Sequence, residues 1–169
     1  LDNVFFDNNS FIGNDTISTN EYDYAVNSLT FSGLTTSPLL QATFISVHGS
    51  LTLDPLVRSS VISYRFLSDL PGQTITTSGV ALNYVDFIGT GSYQLQDSLF
   101  AVEIFLESGS LDMNGYQMDA DIINTYTGTT LDATSATLSS KELTLNGTVV
   151  GSAFARLLFD RHNAVLFEP

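Results

Sequence analysis

Apolar and polar side chains alternate with a period of two along most of this chain, and that period belongs to extended strands rather than helices. In "ATFISV" (42–47), Phe44 falls on one face and Thr43, Ile45 and Val47 on the other. In "SVISYRF" (60–66), Ile62, Tyr64 and Phe66 oppose Val61, Ser63 and Arg65. "GVALNYVDFIG" (79–89) is mixed, as expected of a strand with both faces partly covered. Further strands are expected near 22–32, 50–54, 73–77, 91–96, 142–145, 148–159 and 164–168. Turn signals separate them: "SGL", "TSP", "DP", "LPGQ", "IGTGS", "TGTT" and "DRHN". Strands of this length and spacing predict an all-β fold, a single antiparallel β-sandwich or β-barrel of about ten to twelve strands. No solenoid repeat of fixed period stands out.

Composition agrees. Long helices carry Lys, Glu, Arg and Gln on their wet faces, whereas charged residues are only 14% here and Lys141 is the sole lysine. Ser, Thr, Asn and Gly take their place, as on strand exteriors and turns. With 169 residues and 43% apolar content the chain can bury a core and suits one domain. That domain is expected over 21–169, preceded by an arm or edge strand over 1–20. The arm is rich in Asn and Asp but holds Phe5, Phe6, Phe11 and Ile12 at irregular spacing. It is expected to pack on the domain or to pair with a neighbouring subunit by strand donation. Leu1 reads as a processed mature end or a domain boundary.

The strongest local signals are two Asn-Gly pairs, because a two-residue type I′ turn needs positive φ at both positions. A hairpin at Asn114-Gly115 would pair Met113 with Tyr116, Asp112 with Gln117, Leu111 with Met118 and Ser110 with Asp119. One face would carry Leu111, Met113, Tyr116, Met118, Ala120 and Ile122, the other Ser110, Asp112, Gln117, Asp119 and Asp121. A slip of one residue would bury the aspartates. Asn146-Gly147 would fold "ELTL" onto "TVVG" in the same way. "DSLFAVEIFLESG" (97–109) can be written as a helix capped by Asp97 or Ser98 and ended by Gly109. The strand is favoured, because the segment runs straight into the hairpin; Phe100, Val102, Ile104 and Leu106 then face inward and Phe105 outward.

Net charge of -13 disfavours nucleic acid and anionic lipid as partners. No apolar run is long enough for a membrane-spanning helix. The absence of cysteine removes disulfides, thiolate zinc sites and cysteine nucleophiles. Candidate acids are sparse. Asp112, Asp119 and Asp121 have the spacing of a hairpin rather than an EF-hand loop, and are read as its wet face; a loose cation site at Asp112 and Asp119 is the alternative. Calcium is otherwise expected at the acidic loops "DNNS" (7–10) and "GNDT" (13–16). Glu103 and Glu107 on one strand would lie about 13 Å apart, too far for a glycosidase pair. His48 and His162 lack a nucleophile elbow and are read as structural or surface residues. "GTGS" (89–92) is read as a turn, and Asn8, Asn14 and Asn146 head Asn-x-Ser/Thr sequons.

"LTLNGTVVGSAF" and the glycine-punctuated strands before it resemble the β-barrel repeats of transferrin-binding-protein-like bacterial surface proteins. That resemblance implies a secreted or surface β-barrel and transfers no site residue, since "ARLLFDRHNAVLF" departs from the family pattern after Phe154. The expected function is non-catalytic: an extracellular or cell-surface domain for adhesion, assembly with other subunits, or ligand binding. A small-molecule or carbohydrate binder is the alternative, and a hydrolase drawing acids from separate strands comes third.

Overall fold

The structure, a computed structural model, describes residues 1–19, 23–151 and 157–158. The expected strand over 164–168, the "DRHN" turn and His162 lie outside them. The chain enters through β1 (Val4–Phe6), β2 (Thr16–Ser18), β3 (Asp23–Val26) and β4 (Leu29–Phe31). It continues through β5 (Leu39–Val47), β6 (Leu51–Thr52), β7 (Arg58–Phe66), β8 (Gln73–Thr76), β9 (Leu82–Phe87) and β10 (Ser92–Leu95). Next come β11 (Leu99–Leu106), β12 (Ser110–Asp112), β13 (Gln117–Thr125), β14 (Thr130–Asp132), β15 (Thr137–Leu145), β16 (Thr148–Val150) and β17 (Leu157–Leu158).

All the described strand pairs are parallel. Sheet A runs β1-β4-β6-β8-β10-β12-β14-β16, and sheet B runs β17-β15-β13-β11-β9-β7-β5-β2 with β3 also on β5. From β4 onward the chain visits the two sheets in strict alternation, so it winds as a parallel β-solenoid of about seven turns. This overturns the expected antiparallel sandwich or barrel, and with it the likeness to transferrin-binding-protein barrels.

The reason is visible at Asn114-Gly115. The turn itself forms as expected: φ is 50° at Asn114 and 78° at Gly115, and Tyr116 N–H donates to Met113 O at 2.8 Å. The hairpin does not. The three residues of β12 pair with the three of β14, and eight of the nine residues of β13 pair with eight of the nine of β15. A hairpin here would leave most of a nine-residue strand without backbone partners, a cost the ladder avoids by matching short with short and long with long. The facing was nevertheless read almost correctly. Leu111, Met113, Met118 and Ala120 are buried, while Tyr116 is exposed, and Ile122 half-buried, on the outside. Asn146-Gly147 is likewise a corner between β15 and β16, not a hairpin, and neither residue has positive φ. Gly147 is needed there for close approach, since a Cβ would meet Thr129 Oγ1 at 2.2 Å.

A repeat therefore exists, but it is uneven. Ser110 pairs with Thr130 after twenty residues (110 to 130), Ser92 with Ser110 after eighteen (92 to 110), and Val4 with Leu29 after twenty-five (4 to 29). On the inner faces most register steps stack apolar on apolar. Ile45, Tyr64, Val85, Ile104, Ile123 and Leu143 form one inner column of sheet B, and Leu29, Leu51, Ile75 and Leu95 face it from sheet A. Phe66 stacks on its register partner Phe87 at 5.0 Å, with Tyr93 edge-on to both. Burial pushes the Tyr93 phenol up to about 12, and its oxygen accepts from Ser68 N at 2.8 Å.

Sheet B also bends. Ala42 pairs with Val61 and Phe44 with Ser63, but the pair between them drops out of the ladder, and the same gap recurs around Val102 and Asp121. Two successive residues then point outward, as at a bulge. Val102 is consequently 42% exposed and Phe100 half-buried, against expectation, while Ile104 and Leu106 are inside and Phe105 is outward as expected. Ile62, expected on the side of Tyr64, is turned out by the same bend. The first nineteen residues supply β1 and β2, the end strands of the two sheets, and Phe6 and Phe11 pack on Phe31.

Candidate functional site

On the outside of sheet A the short strands leave a shallow groove of about 340 Å³. Two columns of polar side chains cross it from rung to rung. Ser92, Ser110, Thr130 and Thr148 are successive register partners, as are Gln94, Asp112 and Asp132. Each strand alternates an inward apolar residue with these outward ones: Tyr93, Leu111 and Leu131 are buried, and their neighbours are half-buried. Strand spacing sets the rungs of both columns about 4.8 Å apart.

The second column is hydrogen-bonded within itself. Gln94 Nε2 donates to Asp112 Oδ2 at 2.8 Å, and Gln94 Oε1 accepts from Gln96 Nε2 at 2.9 Å. Asp112 Oδ1 accepts from Asn114 N at 2.7 Å, and Asp132 Oδ1 from Thr134 N at 2.9 Å, so each aspartate also closes the corner after its strand. The hydrogen bonds from Thr134 hold the Asp132 carboxyl below the usual carboxylate range. In the first column Ser92 Oγ accepts from Gly72 N at 2.9 Å. The hydroxyls of Ser110 and Thr130 make no hydrogen bond among the described residues and face the groove.

The three aspartates do not meet. Asp112 lies on sheet A, whereas Asp119 and Asp121 lie on the outside of sheet B, where Asp121 pairs with Lys141 at 2.7 Å and Asp119 accepts from Gln117 Nε2 at 3.2 Å. They face outward, as read, but on two different surfaces. Among the described residues no group of three or more His, Cys, Asp or Glu is placed to hold a metal. In "DNNS" the Asp7 carboxylate accepts from Asn9 N and Ser10 Oγ, and in "GNDT" Asp15 accepts from Ile12 N. Glu103 is half-buried on β11 and Glu107 exposed at the following corner. His48 sits at a corner, donating its backbone N–H to Val26 O. "GTGS" is a corner where a Cβ on Gly89 or Gly91 would strike the backbone of Ser68 or Leu70. The sequon residues Asn8, Asn14 and Asn146 are all exposed.

The groove residues Ser92, Gln94, Ser110, Thr130 and Asp132 were not singled out from the sequence. A signal was present: "SLDMNGYQMDADIINT" (110–125) and "TLDATSATLSSKELTL" (130–145) share most of their polar-apolar pattern, departing at Ala120/Ser140, Ile122/Glu142 and Thr125/Leu145.

The fold and groove define an all-parallel β-solenoid that presents a laddered polar face. Comparison of the chain with protein-family models, curated proteins and solved structures finds no match. Among the described residues no helix is long and apolar enough to cross a membrane.

Proposed function

We propose that this chain is a non-catalytic binding domain of the extracellular space or cell surface, whose sheet A groove receives a linear, hydroxyl-rich ligand of the glycan class. The carrying observation is the pair of polar columns. A ligand lying along the solenoid axis meets a hydroxyl beside an amide or carboxylate on three successive rungs, and Ser110 and Thr130 have hydroxyls free to serve it. Neutral or cationic glycans are favoured over polyuronates, because Asp112 and Asp132 line the groove of a chain with net charge -13.

Asp132 does not suit the general-acid role of a glycosidase. A glycosidase needs one carboxyl held protonated by a raised pKa, and Asp132 is shifted the other way. The test is affinity electrophoresis against a panel of linear polysaccharides. Retardation by a neutral or cationic glycan is expected, weakened about tenfold by Thr130→Val combined with Gln94→Ala, which remove a hydroxyl and an amide contact. Uniform mobility across the panel, or retardation indifferent to the double variant, would refute the proposal. Release of reducing sugar from a bound glycan would replace it with the hydrolase reading.

Assembly is the second reading, favoured by the end of the solenoid. β1 terminates sheet A and β2 terminates sheet B among the described strands, so both offer unpaired backbone groups, and Phe5 beside them is 61% exposed. Sedimentation that stays monomeric at millimolar concentration removes this reading.

A further inference from the structure

The bend in sheet B leaves an apolar seam on its outer face. Where the ladder drops a pair, two successive residues of each strand sit side by side on the outside. They are Ile62 and Ser63 on β7, Asn83 and Tyr84 on β9, Val102 and Glu103 on β11, and Asp121 and Ile122 on β13. One member of each pair is apolar, and it changes sides from strand to strand. Ile62, Tyr84, Val102 and Ile122 therefore zigzag along the solenoid axis, one on each of four consecutive strands. Ile62 is 49% exposed, Tyr84 39% and Val102 42%. Scattered apolar side chains are ordinary on a surface, whereas a contiguous run of them is a contact surface. The seam has defined ends. Phe44 would extend it by one strand but is covered by the Arg65 guanidinium, 3.7 Å from its ring centre. On β15 the corresponding pair is Lys141 and Glu142.

Spacing and charge together define the partner. Strands about 4.8 Å apart spread the four side chains over about 14 Å. The apolar stripe of an amphipathic α-helix advances about 5.4 Å per turn, so about three turns present side chains at nearly the interval of the seam. A partner strand fits less well, because residues on one of its faces repeat every 6.8 Å or so. Acids flank the seam: Asp86 and Glu103 on one side, Asp119 and Asp121 on the other. Glu103 is half-buried beside Val102 and makes no hydrogen bond or ion pair among the described residues. A cation brought by the partner would complete it.

We infer that the seam of Ile62, Tyr84, Val102 and Ile122 is a docking surface for a basic amphipathic α-helix of another protein, separate from the sheet A groove. The helix lies along the solenoid axis with its apolar stripe on the seam, and its Lys or Arg side chains reach Glu103 and Asp86.

The probe is a fluorescein-labelled peptide of about fifteen Leu and Lys residues with its leucines on one helical face. A control peptide has the same composition with the leucines scattered around the helix. A chain of net charge -13 attracts both peptides by charge alone. Fluorescence anisotropy with the full chain should show the amphipathic peptide bound about tenfold more tightly than the control. Ile62→Ser combined with Val102→Ser, both at exposed positions, should erase that preference. Glu103→Gln should weaken the amphipathic peptide about threefold and reduce the salt dependence of its binding. Circular dichroism verifies that the variants keep the parent fold, and Glu103→Gln carries the test if the double variant does not. Equal affinity for the two peptides, a preference that persists in the folded double variant, or unchanged binding in Glu103→Gln overturns the inference. Dimerisation of the parent that the double variant abolishes would give the seam to a second copy of the chain and overturn it as well.

Discussion

Gly109 shows how closely the rungs approach at a corner. Its φ of +69° is left-handed, and a Cβ there would stand 2.4 Å from Gly91 O and 2.6 Å from Gly89 O. Gly72, also left-handed at +77°, has open space around it. Gly72→Ala should therefore cost only the backbone strain, about 1 kcal/mol. Gly109→Ala adds a collision with rigid backbone and should cost about 3 kcal/mol or more by urea denaturation. Equal costs would show that the corners do not touch. A second residue-scale effect is acid sensitivity. Backbone and side-chain hydrogen bonds from Thr90 lower the pKa of Asp69, as those from Thr134 lower that of Asp132. A depressed folded-state pKa adds stability that is complete above the ordinary carboxylate value of about 4 and vanishes as pH falls through the lower folded value. Relative to the parent, Asp69→Asn with Asp132→Asn should flatten the fall in melting temperature between about pH 4 and pH 2. Parallel curves for the two proteins would contradict the assignment.

For a single strand, the bend decides what is core. A plain alternating β11 would bury Val102 with Ile104, but the bend turns Val102 to solvent and leaves Ile104 1% exposed. Ile104→Ala should cost about 3 kcal/mol and Val102→Ala under 1 kcal/mol. Matching losses would mean that sheet B runs straight. The same element shows where reading the sequence stopped. Period-two alternation located β8 and β10 to within a residue or two, identified β11 as a strand, and put Leu111 and Met118 inside. It could not choose between a hairpin and a corner, because both place the same side chains on the same face and both use the Asn114-Gly115 turn. The deciding information was strand length, three residues against nine. The groove was illegible for the same reason. Asp112 and Asp132 become neighbours only once the chain is known to climb, and so do Ser110 and Thr130. The bend was hidden because two outward residues in a row look like noise in an alternating pattern.

Across the whole molecule, charge is the dominant long-range force. With 18 acidic against 5 basic residues, and Lys141 already paired with Asp121, the folded state carries strong self-repulsion. Raising ionic strength from about 0.01 M to about 0.15 M shortens the screening length from about 30 Å to about 8 Å. The melting temperature should rise by several degrees, and a flat response would mean that the carboxylates are spaced widely enough not to sense one another. The parallel ladders carry a further consequence. A rung binds mainly the rungs above and below it, and β13 and β15 stack in a single register. Length is thus a free variable of the design. Splicing in one more copy of the segment 110–129 would add a tread to the staircase without disturbing either flight, and would extend the polar columns by one step for a longer guest.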